Sequence, residues 1–341
     1  MTVAQPTTIT DRLCSVAARA VNEDPIGSGG TLTRVLAVEI PVPWGGRLDN
    51  ADPAGDWLGQ SNAIRNAYLA RLRAEHGRLP ESGYANMYGI APDDEWTVPG
   101  HRRVFVALAP QGELASGYDL TEYLLPTDDD VVSLVRAFFE APTDLETFER
   151  FRSAMPSHRE LFVCTHGQVD ICCARFGVHL YQQARAAYPA VRAWRITHLG
   201  GHRYAPTAWE FPSGYKWAYL DADEGNALVH HLDSPHALRG NMRGWSAVSA
   251  PAQLVDREGF VLHGWDWLAY RRRTQILETD EAARRWRVQL DFEGPAGISG
   301  TYLATVAIAR DITLLGCAVE SDDEIGTVPE YVLERFRLVT D

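Results

Sequence analysis

Residues 160–202, ELFVCTHGQVDICCARFGVHLYQQARAAYPAVRAWRITHLGGH, decide how the chain folds around its chemistry. Glu160 to Cys164 is a short apolar run that reads as a buried strand, and a loop then carries the chain to Cys173. Phe176, Leu180, Ala184 and Ala187 share one face of a helix over 174–188, which Pro189 stops. Val191 to Thr197 is again β-rich. A crossover helix between two strands of one sheet makes them parallel. Cys164 and His198 should therefore both leave the sheet at its carboxyl edge, where open α/β sheets bind their ligands.

Downstream, Thr207–Phe211 and Tyr215–Leu220 flank Pro212, Ser213 and Gly214 as a hairpin, and Glu224–Leu232 reads as a helix. The resulting order, β-α-β-β-β-α, is that of a compact thioredoxin-like unit. Upstream, Arg34–Ile40 and Arg103–Ala109 are strands ended by prolines. Ile64, Ala67, Tyr68 and Leu72 mark a helix between them, and Val131, Leu134, Val135, Phe138 and Phe139 mark another behind Asp128–Asp130. The first half thus reads strand, helix, strand, helix. Beyond the unit, 257–278 is expected to be a helix with Phe260, Val261, Trp265 and Leu268 on one side. Trp286–Phe292 and Thr301–Ala309 follow as strands across a glycine-rich turn, a tail that completes either sheet. These divisions place domains at 1–155, 156–240 and 241–341.

A chain of 341 residues, 45% of them hydrophobic, is about two domains long and fills a sizeable core. Its formal charge of −13 would repel nucleic-acid phosphate and anionic membrane, so neither is expected as a partner. No signal sequence or spanning segment is visible, which points to a soluble, cytoplasmic protein. No repeat appears. Lys216 stands alone beside many arginines, a bias that fits a GC-rich bacterial genome and carries no mechanistic weight.

Five cysteines make an odd number for a disulfide framework. Cys164, Cys172 and Cys173 crowd into ten positions while Cys14 and Cys317 stand far away, a clustering that suggests metal or redox chemistry. About 25 residues on, His198-Leu-Gly-Gly-His202 adds two imidazoles. Cys173 would fall in or just before the first helical turn, where the helix dipole favours the thiolate that a metal needs. Gly200 and Gly201 let the backbone between the histidines turn with positive φ and approach an inorganic group closely.

Cys-Thr-His-Gly-x-x-Asp-x-Cys-Cys from 164, followed by Thr-His-Leu-Gly-Gly-His-Arg-Tyr-Ala-Pro-Thr from 197, resembles the sucrase/ferredoxin-like family. Val38–Gly45 and Arg103–Ala107 are similar to its amino-terminal half, so the resemblance covers about residues 30–290. It implies an α/β fold in which a thioredoxin-like ferredoxin domain carries a [2Fe–2S] cluster. The first half is then either a second thioredoxin-like lobe or a cap. The ligands implied are Cys164, Cys173, His198 and His202. Cys172 is a thiol beyond the family pattern and competes with Cys173 for the second sulfur position, with Cys173 preferred. The "sucrase" of the family name implies no glycosidase, because no carboxylate pair stands in a sugar-cleaving setting.

Around these ligands, Asp170 is read as a helix cap or an acceptor for a ligand imidazole and Arg203 as a counter-charge, with a loop staple the equal alternative for either. His166 is expected beside the ligands rather than among them. Pro43–Trp44–Gly45–Gly46 is more readily a turn than a lid, and Tyr204, Trp209 and Trp217 more readily core than an electron path. Such a centre implies single-electron exchange with a protein redox partner, more an electron carrier than a stand-alone enzyme. Two imidazoles in place of two thiolates imply a potential of roughly −150 to +300 mV rather than about −400 mV, with proton coupling through the outer imidazole nitrogens. Two rival readings use the same residues: a structural Cys2His2 zinc site, and a thiol redox enzyme, weakened by the lack of Cys-x-x-Cys and by the strain of a Cys172–Cys173 disulfide.

Overall fold

One succession of strands and helices, used twice, builds the large sheet. The computed structural model describes residues 13–45, 55–80, 83–154, 158–232, 234–315, 317 and 324–339. After α1 (Cys14–Ala20) come β1 (Leu32–Glu39), α2 (Trp57–His76), β2 (Tyr84–Ile90), β3 (Arg102–Leu108), β4 (Asp119–Leu125) and α3 (Asp128–Glu140). β5 (Glu160–Cys164), α4 (Ile171–Ala186), β6 (Arg192–Ile196), β7 (Ala208–Phe211), β8 (Tyr215–Trp217) and α5 (Ala222–His230) repeat that order. With β9 (Met242–Trp245) they give a nine-stranded sheet ordered β4-β3-β1-β2-β6-β5-β7-β8-β9. In each half the first two strands are parallel and the third and fourth add antiparallel on the other side. The halves join where Ile90 of β2 pairs antiparallel with Ile196 of β6. The chain is an α/β protein.

The expected strand-helix-strand-helix reading of the first half lacks β2 and β4. Tyr84-Ala-Asn-Met-Tyr-Gly-Ile90 hides its strand character behind Asn86 and Gly89. Gly89 is required by packing, since a Cβ there would stand 2.2 Å from Ile40 Cδ1.

In a flat sheet β3 and β5, four strands apart, would be separated by about 19 Å. The rings of Phe105 on β3 and Phe162 on β5 instead lie 5.4 Å apart, so the sheet curls over and its inner faces pack together. Val35, Ala37, Phe105, Ala107, Phe162, Trp194, Ile196 and Trp209 fill that interior. The alternate residues Leu36, Val38, Val104 and Val106 face α2 and α3, while Leu161, Val163 and Ala193 face the α4 side. Strands buried on both faces read as unbroken apolar runs, which is how they look in sequence. A buried ionic network fastens the two halves at one rim. Arg192 Nη2 donates to Glu160 Oε1 at 2.6 Å and to Glu122 Oε2 at 2.7 Å, and Arg103 pairs with Glu122 from the other side.

The C-terminal part departs from expectation. α6 (Ala250–His263) starts earlier and ends sooner than the helix expected over 257–278, because Gly264 takes φ +73° and turns the chain. Trp265 and Leu268 continue the apolar spacing only within a 3-10 turn, and Arg271–Asp280 is a largely exposed strand, β10. β10, β11 (Arg285–Glu293), β12 (Ser299–Leu315) and β13 (Glu324–Val339) form a separate antiparallel sheet. The tail strands therefore complete neither lobe's sheet, contrary to expectation, because they pair with one another in a sheet of their own. Among the described residues no helix is long and apolar enough to cross a membrane.

Candidate metal centre

β5 and β6 are parallel, with Cys164 in register with Ile196, so the Cys164 sulfur and the loop that follows β6 meet at one sheet edge. Asp170 caps α4, its Oδ1 accepting the Cys172 N–H at 2.8 Å. The cap fixes where the first turn starts and hence where Cys172 and Cys173 point. Gly177, two turns into α4, lets the helix touch the strand end, for a Cβ there would fall 2.0 Å from the Cys164 carbonyl oxygen. Gly177→Ala is expected to push α4 and its cysteines off β5, with a loss of about 1–3 kcal/mol in urea unfolding and a lower metal content per chain. Unchanged stability and metal content would show that the helix does not need this contact.

Cys164, Cys173 and His198 form one group, their ligand atoms all within 4.8 Å of one another, and Cys173 Sγ lies 3.6 Å from His198 Nδ1. Both sulfurs are buried, at 1% exposure, and neither is in a disulfide. The hydrogen bond from Cys173, together with His198, holds the Cys164 thiol well below its ordinary range. The same bond and burial push Cys173 up.

The third imidazole braces this group. His166 Nε2–H donates to Gly45 O at 2.7 Å, which leaves Nδ1 to accept the His198 backbone N–H at 3.3 Å. Trp44 stacks edge-on against His166 with ring centres 5.6 Å apart; Gly46 lies outside the described residues. Gly200 and Gly201 adopt φ of +77° and +68°, and the Gly200 carbonyl accepts from Arg243 Nη1 at 3.0 Å. The buried Arg243 guanidinium acts electrostatically on Cys164 and Cys173. It comes from β9, a strand that the sequence reading does not contain, so no local signal pointed to it.

His202 faces two ways. Its ring centre is 6.0 Å from that of His198, while its Nδ1 lies 2.8 Å from Asp170 Oδ2 and 3.0 Å from Cys14 Sγ. Three of the four expected ligands thus share one group, and the fourth adjoins it through its ring. Asp170 is the cap that was anticipated, and its other oxygen stands beside the His202 imidazole. Arg203 pairs with Glu23, which also accepts from Tyr204 Oη at 2.7 Å, so Arg203 is a staple to the segment after α1. Trp209 lies in the curled interior and Trp217 against Phe260 of α6.

Although adjacent in sequence, Cys172 and Cys173 send their sulfurs to different groups. Cys172 Sγ stands 3.3 Å from Cys317 Sγ and 3.8 Å from Cys14 Sγ, so the two cysteines remote in sequence converge on it. Hydrogen bonds from Cys14 and Cys317 push the Cys172 thiol down to about 2, and the same contacts push Cys14 up.

The family comparison spans this architecture. The family model described as sucrase/ferredoxin-like matches residues 27–244, from the lead-in to β1 through nearly all of β9. No curated protein and no solved structure gives a significant match. The matched stretch takes in the whole strand-end group, both histidines of the glycine-hinged loop and almost all of the curled sheet that brings them together, and on that match the chain belongs to the sucrase/ferredoxin-like family.

Proposed function

We propose that Cys164, Cys173, His198 and His202 hold a [2Fe–2S] cluster and that the chain passes single electrons to a protein partner. The observation that carries this reading is the meeting of two buried, unbonded thiols and an imidazole within 4.8 Å at the carboxyl edge of parallel strands, in a ferredoxin-like family. The donor set, soft sulfur with borderline nitrogen, suits iron–sulfur chemistry. When bound, the cluster supplies a one-electron acceptor and donor with a potential of roughly −150 to +300 mV.

The protein's own contribution is position and field. Burial keeps the two sulfurs dry, whereas the His202 side chain is 25% exposed, so the imidazole edge is the face that a partner can approach. His202 Nδ1 is engaged on the other side, 2.8 Å from Asp170 Oδ2 and 3.0 Å from Cys14 Sγ, so Nε2 is the nitrogen left for ligation. His166 anchors the backbone of His198, and the buried Arg243 holds the Gly200 carbonyl between the two histidines. We read β5 through α5 as a thioredoxin-like unit, and β1 through α3 as a second such lobe that covers its inner face.

Protein purified anaerobically is expected to be red-brown, to contain iron and acid-labile sulfide in equal amounts, and to give an EPR signal once reduced. A colourless protein without iron, with zinc bound by two sulfurs and two nitrogens, overturns the reading in favour of a structural zinc site.

A further inference from the structure

Cys14, Cys172 and Cys317 come from three segments at least 145 residues apart, yet their sulfurs lie 2.9, 3.3 and 3.8 Å from one another. Asp170 joins them, with Oδ1 at 3.4 Å from Cys317 Sγ, and all four ligand atoms fall within 4.8 Å of each other. Cys14 and Cys172 are buried and Cys317 is half-buried. We infer that these four side chains form a second metal site, a tetrahedral Cys3Asp site for a single zinc ion, which fastens Cys14 of α1 and Cys317 to the first turn of α4.

The distances separate this reading from its competitors. Thiolates on one zinc at about 2.3 Å and tetrahedral angles are about 3.8 Å apart, a spacing close to that of Cys14 and Cys172 and somewhat wider than that of the other two pairs. Sulfurs on different irons of a cluster are held farther apart than sulfurs that share one ion. A disulfide would engage two of the three thiols and strand the third in the apolar surround of Leu13, Val16, Phe176 and Ala205. A carboxylate as fourth donor suits zinc better than copper(I), which prefers soft ligands throughout.

Donors for the bound thiolates are in place. The Cys14 N–H points at Cys317 Sγ at 3.3 Å, Ser15 offers its hydroxyl and N–H to Cys172, and His202 Nδ1 lies 3.0 Å from Cys14. With this site included, all five cysteines belong to two metal groups. Cys14 and Cys317 also fall outside residues 27–244, so the site joins the matched region to segments beyond it on either side.

Metal analysis of the full-length protein, with zinc-edge X-ray absorption of the wild type, tests the site. About one zinc per chain is expected, with three sulfurs and one oxygen in its shell, and Cys14→Ser/Cys317→Ser should lose at least ten-fold of it while keeping its iron. Should that variant fail to fold, the wild-type zinc shell still decides. Absence of zinc together with a reducible Cys14–Cys317 bond in the intact mass overturns the inference, as does zinc with a two-sulfur, two-nitrogen shell alone. Loss of zinc from the double variant bears only on this site, whereas absence of iron from the wild type bears only on the cluster.

Discussion

Cys173→Ser is expected to purify without iron, whereas Cys172→Ser keeps its iron. Successive residues on a helix point about 100° apart, so a vicinal pair in the first turn of α4 cannot serve one centre equally. Cys173 turns toward Cys164 and His198, and Cys172 toward Cys14 and Cys317. Serine keeps nearly the same size but offers a poor ligand, so the effect reads as ligand loss rather than repacking. Iron and sulfide content with visible absorption measures it, and circular dichroism checks that both variants fold. Iron lost from Cys172→Ser and retained by Cys173→Ser would reverse the assignment of the second sulfur.

Arg272→Met is expected to destabilise the protein by about 3–5 kcal/mol, the usual cost of breaking a buried ion pair from one side. Arg272 and Asp256 are both fully buried, with Nη1 3.7 Å from Asp256 Oδ1. The guanidinium also donates to Tyr215 Oη at 3.0 Å, Trp267 O at 2.9 Å and Ser116 O at 2.7 Å. Asp256 in turn accepts from Trp267 Nε1 at 3.0 Å and from Tyr215. This one side chain at the start of β10 joins the four-stranded sheet to α6 and to β8 of the large sheet. Methionine would fill much of the volume but leave two carbonyls without donors and a carboxylate without its counter-charge. Arg272→Lys should lose less, since it keeps the charge and forfeits the fork. Urea unfolding followed by tryptophan fluorescence measures both, and a loss below about 1 kcal/mol for the methionine variant would show that the pair is not what holds the sheets together.

Much of the site could be read locally because its parts are local. The apolar run to Cys164, the helix face from Phe176 to Ala184 and the turn at Gly200–Gly201 are short-range patterns, and parallel pairing of β5 with β6 follows from a crossover rule. Elsewhere the local signal misled or fell silent. The apolar spacing of Trp265 and Leu268 extended a helix that Gly264 ends, and Asn86 and Gly89 concealed a strand whose packing needs a glycine.

By itself the sequence singled out Cys164, Cys173, His198 and His202 as candidate ligands and determined which strand ends would present Cys164 and His198, because spacing along a strand or helix sets direction. Only the tertiary structure decided how the cysteines are shared out. Cys14, on a helix that packs against the His202–Tyr204 turn, and Cys317, just beyond β12, meet Cys172 in one cluster, and Arg243 reaches the histidine loop from β9. Contacts across more than a hundred residues arise from how the elements pack, and no period or motif along the chain records them.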